Sequence, residues 1–485
     1  SHELGFTLNL DCQQSTSDAQ GFKTTDNQTK FLLNNIGGVA TLKLNSSTFP
    51  NFNFGFTYNK AASFNRRYRG TIHQLSNSMS NYIAGVSNGE KLTLGDVQAV
   101  DGYDPYNPND GGFVSPWISI LGFDSYLVSP IGNPDEPRWT GLWGNGTSGL
   151  GNFSVEERGH EYNIAFGGNI ANVVYWGMDF GIIDLNYSQT AIWGESLNGA
   201  YVDDNNGGLT QTKADWRMKN LYSASGNGFN YELGIIVKPI QELRIGFAFH
   251  TPTWYNINES YAARVNYNYN GLPYIRGTFA DTNGGVPGSN SYDFRTPWKL
   301  MASIAGVIGN NFILSADYEW TAYDKMKFSY ADGGYDDPWY YAPTRSAGPV
   351  DDPYYLTNKD VSDYYQTTHT FRLGAEYRVT PQFSVRAGYS FVSSPVKSDV
   401  KDNKKNIYTS GTNPSYSFDN TNNYVTCGLG YRVKKFYVDL AYVYKHVSSE
   451  YHAFTPDTEN PSIPSPQAKL SLNNSQIVLS AGFRF

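Results

Sequence analysis

The chain has 485 residues, of which 10 are Trp, 38 Tyr and 28 Phe, so aromatics make up 16% of it and the charged residues only another 16%. A formal charge of −8 speaks against a general nucleic-acid surface, and aromatics this dense do not stay solvated as a disordered chain. No apolar run approaches the roughly 18 residues of a membrane-spanning helix, while 48 Gly beside many Tyr favour strands and one large closed sheet over several helical domains.

Alternation of apolar and polar residues predicts the first strands near 3–13, 36–45 and 51–59. Ser1 opens directly into a strand-like run, so any export signal is expected to have been removed already. The stretch 60–158 that follows is too long for a bare connector and should carry its own structure as a large extracellular loop. Within it, Ile72, Leu75, Met79, Tyr82, Ile83 and Val86 recur at helical spacing, and a second segment around Trp117, Ile118, Leu121 and Phe123 is greasy nearly all round. Such helices need a surface to cover. They are expected either to close the barrel mouth as a lid or to form a groove that admits apolar molecules as well.

Asp101, Asp104, Asn107, Asn109 and Asp110 offer oxygen ligands at close spacing, without the regular pattern of a calcium loop, and residues 335–338 read similarly. A bound calcium ion is left open, and no metal site is assigned.

Further strands are predicted near 160–170, 173–188, 228–238, 242–257, 292–308, 311–326, 367–379, 382–393, 421–433, 435–447 and 474–485, about fourteen in all. Around 178–183 the alternation changes phase, which suggests a bulge. Short links such as 238–242, 309–311, 380–382 and 434–435 alternate with long polar loops. A meander closed through a bilayer sorts its connections in this way, whereas a large soluble β protein has no reason to. The fold class is therefore all-β: a single transmembrane antiparallel barrel over 1–485, with short periplasmic turns and long extracellular loops.

The last strand sets the phase. Ile477, Leu479, Ala481, Phe483 and Phe485 form its apolar face, and the same phase sends Phe247, Leu314, Leu373 and Leu440 to lipid. Glu232, Lys299, Asp317, Glu319, Arg372, Glu376, Arg386, Asp439 and Arg484 then face a lumen, both signs together, as a wall of paired charges would require. Cys12 and Cys427 fall on the apolar face and are read as small lipid-facing side chains. Seven His form no close ligand pair except His446 with His452, and no nucleophile motif appears, so an enzyme is not expected and no cofactor is implied.

Four phrases, at 157–190, 242–257, 294–328 and 371–391, together resemble the FadL/TodX family of outer-membrane transporters of hydrophobic compounds, and the Tyr- and Asn-rich wording at 58–70 looks most like members from Bacteroidota. The resemblance implies fourteen strands, an N-terminal hatch that this chain does not include, a groove in the outer loops, an internal pocket, and a lateral opening beside a distorted third strand. Gly55 is the expected point of distortion. Cargo would be fatty acids or other hydrophobic molecules, moving passively into outer-membrane lipid. Lys299 and Arg372 are candidates for a carboxylate head group, and Trp254, Met301 and Ile313 for inward apolar contacts. A scaffold holding a protein partner and a polar-solute porin stand as alternatives.

Overall fold

The computed structural model describes residues 2–44, 51–100, 102–107, 115–167, 174–309, 311–331, 354–409, 411–455 and 465–485. In chain order, β1 (Glu3–Ala19) and β2 (Phe22–Lys43) form a hairpin, followed by β3 (Asn51–Ser63) and β4 (Arg66–Ile72). Helices α1 (Met79–Gly89), α2 (Leu94–Val97) and α3 (Trp117–Asp124) come next, with the small hairpin β5 (Val128–Ile131) and β6 (Arg138–Gly141). The wall resumes with β7 (Ser148–Gly167), β8 (Val174–Asp203), β9 (Leu209–Ile240), β10 (Leu243–His250) and β11 (Trp254–Tyr269). Then come β12 (Phe279–Asp281), β13 (Gly288–Arg295), β14 (Lys299–Ile308), β15 (Phe312–Ala322), β16 (Lys327–Tyr330) and α4 (Tyr355–Tyr364). The chain ends with β17 (Thr367–Arg378), β18 (Phe383–Ser393), α5 (Ser398–Lys401), β19 (Tyr416–Val433), β20 (Phe436–His452) and β21 (Gln467–Arg484).

Neighbouring wall strands pair antiparallel, and β21 pairs back onto β1 from Glu3↔Arg484 to Asp18↔Lys469, which closes the ring. Three positions in the wall are each filled by two consecutive segments. Segments β10 and β11 both pair with β9, β14 and β13 pair with them in turn, and β15 and β16 follow. With these and β3–β4 counted once each, fourteen strands form the wall among the described residues.

The outer face is greasy because alternate residues of each strand point away from the lumen. Phe31, Phe247, Leu373 and Phe436 are each about 60% exposed or more, and they belong to a belt continued by Leu4, Leu233, Ile304, Leu440 and Leu479. Only hydrocarbon makes such a surface favourable. Cys12 and Cys427 are exposed on this same face.

The main apolar core lies above the belt, inside the mouth. Met79, Ile83, Ile120, Leu121, Leu127 and Leu142 pack with inward residues of the tall strands, among them Trp193, Leu197, Trp216, Met218 and Val265. A helix that is apolar nearly all round needs cover on most of its surface, and Ile118–Gly122 of α3 are buried, with Trp117 and Phe123 partly so. The stretch expected as a loop from 60 to 158 is more strand-rich than the sequence suggests: its first residues complete β3, 66–72 form β4, and from Ser148 it belongs to β7. The helix predicted from Ile72 begins only at Met79, capped by Ser78, because Ile72 is still in β4.

The change of phase at 178–183 is not a bulge. The register of β8 with β9 runs unbroken from Val174 to Leu197, and the irregularity comes between Leu197 and Ala200. The alternation blurs there because both faces are apolar: Ile182 faces out and is 49% exposed, while Ile183 faces in and is buried.

Candidate functional site

The ladder between β2 and β3 covers only the periplasmic half of β2, from Lys43↔Asn51 to Asn35↔Asn59. The side chains of that last pair are hydrogen-bonded to each other. Beyond it, Phe22–Leu33 has a ladder to β1, and Phe22–Asn34 has none on the other side among the described residues. The third strand stays with β7, passes a register shift between Lys60 and Ala62, and breaks at Phe64–Asn65 before β4. It then turns inward. Phe64 stacks edge-on against the inward ring of Tyr187, Gln13 on the inner face of β1 donates to the Asn65 carbonyl at 3.2 Å, and Arg66 reaches Asp419 at 3.2 Å and Ser449 at 2.6 Å on the opposite wall strands. The result is a seam between the outer half of β2 and β3–β4. Its lower end lies within the belt, since Leu33 and Phe31, 40% and 69% exposed, flank it before the outer face of β2 turns polar at Thr29 and Asn27.

Gly55 is not where the third strand departs. It pairs with Val39 on one side and Gly167 on the other, and a side chain there would meet only Val39 at 3.4 Å and Gly38 at 3.6 Å. The break comes later because the strand leaves its neighbour by a bulge and a two-residue interruption, not by a glycine kink.

Lower in the lumen, β14, β15 and β17 bring Lys299, Met301, Ile313 and Arg372 to the inner face. Met301 is opposite Glu319, Lys299 opposite His250 and Thr321, and Ile313 opposite Glu376. Arg372 donates to Glu319 at 2.6 Å. Arg386 bridges Glu376 at 2.8 Å and Asp439 at 2.5 Å, Arg484 holds Glu3 at 2.6 Å, and His250 holds Glu232 at 3.0 Å. Many of the lumenal charges are thus mutually paired, but Asp317 and Lys299 have no ion pair among the described residues.

Trp254 does not face the lumen. It stacks on Phe229 with ring centroids 5.2 Å apart, on the outer face. The cause is the interruption at Thr251–Thr253 between β10 and β11, which shifts the phase by one residue and turns Tyr255 inward instead. Tyr255, Ile257, Ile183 and Ala224 form a buried inward cluster, with Leu185, Tyr292 and Phe294 against it. Sequence reading missed this band. Its signal was the loss of alternation at 178–183, an apolar inner face misread as a bulge.

At the mouth, Ile118 and Leu121 are fully buried in the core of the lid and line no open groove. Trp117 and Phe123 are only partly buried. Trp117 lies edge-on to both Tyr106 and Tyr261, at 5.3 and 5.2 Å, and Phe123 lies edge-on to Trp139. The lid is fastened to the wall by Glu195 of β8, which is 2% exposed and sits well above the belt. It accepts from Ser78 Oγ, from the Met79 amide at 2.8 Å and from Trp193 Nε1 at 2.8 Å. The first turn of α1 has no acid of its own, so Glu195 is the anion at the helix N-terminus. Burial outweighs these donors and pushes its carboxyl up to about 7.

Of the candidate calcium ligands, Asp101, Asn109 and Asp110 lie outside the described residues, as do residues 335–338. Asp104 caps its own turn, accepting from the Tyr106 amide at 3.0 Å. His446 bonds Asn473 at 2.8 Å, whereas His452 is buried against Tyr416, so the two do not converge.

A closed ring of antiparallel strands, apolar outside and lined within by paired charges, defines a transmembrane barrel of the bacterial outer membrane. The chain belongs to the outer membrane protein transport protein family (OMPP1/FadL/TodX), whose family model matches residues 162–485. Members of this family are transport proteins for hydrophobic compounds. Similar solved structures include a Pseudomonas aeruginosa FadL homologue, at 14% identity over 99% of this chain and 90% of that one, with a TM-score of 0.46. The P. putida toluene transporter TodX matches at 12% identity over 100% and 90%, with a TM-score of 0.42. The CymD monoaromatic hydrocarbon channel matches at 10% over 100% and 88%, with a TM-score of 0.43. No protein of curated function matches the sequence.

Proposed function

We propose that this barrel moves hydrophobic molecules, long-chain fatty acids among them, from the outer mouth through the lumen and sideways into the membrane between β2 and β3–β4. The observation that carries the reading is the seam: the inter-strand ladder stops at Asn35↔Asn59, inside the lipid belt. An apolar molecule gains nothing from the charged lower lumen, where Arg386 and Arg484 are held by acids. It gains free energy at each step that keeps it out of water, and the hydrocarbon beyond the seam is the last such step.

Trp117 and Phe123 present the partly open aromatic surface at the mouth, where Ile118 and Leu121 contribute by holding the lid together. The inward band of Tyr255 and Ile257 offers apolar contact on the way down, and Met301 continues it, while Ile313 stands beside the charged pair of Glu376 and Arg386 and is left off the path. Gly55 lies below the seam on the inner face, where its lack of a side chain keeps the sill low. For a carboxylate cargo, Lys299 is the better head-group partner, because Arg372 already holds Glu319. Passage is passive and needs no cofactor.

The test is reconstitution. Purified barrel in liposomes should accelerate transfer of a fluorescent fatty acid while leaving sugar-driven swelling at the background rate. Swelling or steady ion conductance without fatty-acid transfer would overturn the reading in favour of a polar-solute channel. A stoichiometric protein partner recovered with an inert barrel would favour a scaffold.

A further inference from the structure

The two halves of β2 are held in different ways. From Val39 to Asn35 it is laddered on both sides, and Ala40–Lys43 pairs with β3; from Asn34 to Phe22 the edge towards β3–β4 is covered by side chains alone among the described residues. Arg67 of β4 donates to Asp26 at 2.7 Å and to the Asn27 carbonyl at 2.7 Å, so its guanidinium takes over part of the backbone edge. Arg69 stands 3.8 Å from the second oxygen of Asp26. At the hairpin tip Gln20 and Gln74 exchange two hydrogen bonds, at 2.7 and 3.0 Å. Partly exposed contacts of this kind hold weakly, and salt weakens them further. The seam is therefore a weak line in the wall among the described residues. A bulge lies at the same height: between Thr7 and Leu8 the β1–β2 register shifts and Asn34 is left over, next to the last rung to β3. A bulge is where a strand bends.

We propose that the outer half of β2 is the moving leaf of a lateral gate, hinged at Asn34 and locked by Asp26 to Arg67 and Arg69. This rests on the lateral-exit reading above. Releasing the lock leaves two arginines in water and the Asn27 carbonyl free to be hydrated, both above the belt, so opening carries no charge into hydrocarbon. The leaf then uncovers Phe31 and Leu33 at its base, apolar side chains suited to pass a greasy molecule outward.

The test uses the full chain with Cys12→Ser and Cys427→Ser as background. Gln20→Cys with Gln74→Cys, joined by oxidation or a short bifunctional thiol reagent, should lower fatty-acid transfer about fivefold or more, and dithiothreitol should restore it for the disulfide. Asp26→Arg should raise transfer roughly two- to fivefold and speed hydrogen exchange at Thr24–Lys30, with Asp26→Arg/Arg67→Asp returning both towards the parent. A joined protein that transfers at the parent rate, or exchange in Asp26→Arg equal to that of the parent, would overturn the gate. A parent protein that transfers nothing would defeat the transport reading instead, and the exchange measurement would still decide whether Asp26 locks the leaf.

Discussion

Arg372 on β17 donates to Glu319 on β15 at 2.6 Å, a pair in which the acid side chain is only 11% exposed while the arginine remains 41% exposed. It ties adjacent strands together on the lumenal side, and Thr321 adds a second hydrogen bond to Glu319 at 3.2 Å. Removing one partner of a covered pair leaves the other charge without compensation, a larger effect than the pair's net worth.

Arg372→Ala is therefore expected to destabilise the barrel by about 1–3 kcal/mol, less than for a fully buried pair because the arginine is half in solvent. Arg372→Met with Glu319→Leu should recover at least half of the loss. Thermal unfolding in detergent measures both, and equal losses in the single and double variants would show that the two groups are not coupled.

Gly70 of β4 has no room for a side chain. A Cβ there would lie 2.6 Å from the Phe153 ring and 3.3 Å from Ser17 Cβ of β1. Gly70→Val should cost about 1–3 kcal/mol as an overpacked contact and detach β4 from the inner face of β1, seen as faster proteolysis of the 60–147 region. Native resistance in that variant would contradict the close approach.

Glu195 predicts a pH dependence. Its folded-state pKa of about 7 lies above the ordinary value of 4.5, so between those two values the folded protein holds a proton that the unfolded chain has released. Stability should therefore fall as pH rises from about 4.5 through 7, by up to about 3 kcal/mol in total, and level off above. Glu195→Gln, which keeps an acceptor for the Met79 amide, should flatten that slope. Melting curves at pH 5 and pH 8 are the comparison, and an unchanged slope in the variant would assign the effect to another group.

Lys299→Gln should slow transfer of a fatty acid about three- to tenfold and leave transfer of a neutral hydrocarbon of similar length unaltered, because only the carboxylate loses a charged partner. Equal slowing of both would mean that the variant alters the lumen's shape and not head-group recognition.

The strand alternation in the sequence is legible because lipid and lumen demand opposite chemistries on successive residues, and the sequence places Met301, Lys299 and Arg372 on the face they occupy. Local irregularities are not legible. Trp254 faces outward because three residues, Thr251–Thr253, interrupt the strand, and nothing in the period announces a shift of one. Gly55 looked like a weak point since glycine weakens strands, yet the wall parts where β4 gains better contacts inside, through Arg66 with Asp419 and Tyr68 with Tyr451. Those partners lie hundreds of residues away, and local sequence carries no trace of them. The reading of Ile118 and Leu121 as groove residues failed for a related reason: apolar composition distinguishes a covered helix from a binding surface only when its cover is known.

The lengths of β8 and β9, 30 and 32 residues, carry a consequence for the cell surface. At about 3.3 Å per residue and a tilt near 40°, strands of this size rise roughly 80 Å, of which the bilayer's hydrocarbon accounts for about 25–30 Å. The remainder is a one-sided tower that holds the lid roughly 50 Å clear of the hydrocarbon, so the mouth opens far from the lipid tails that the belt touches.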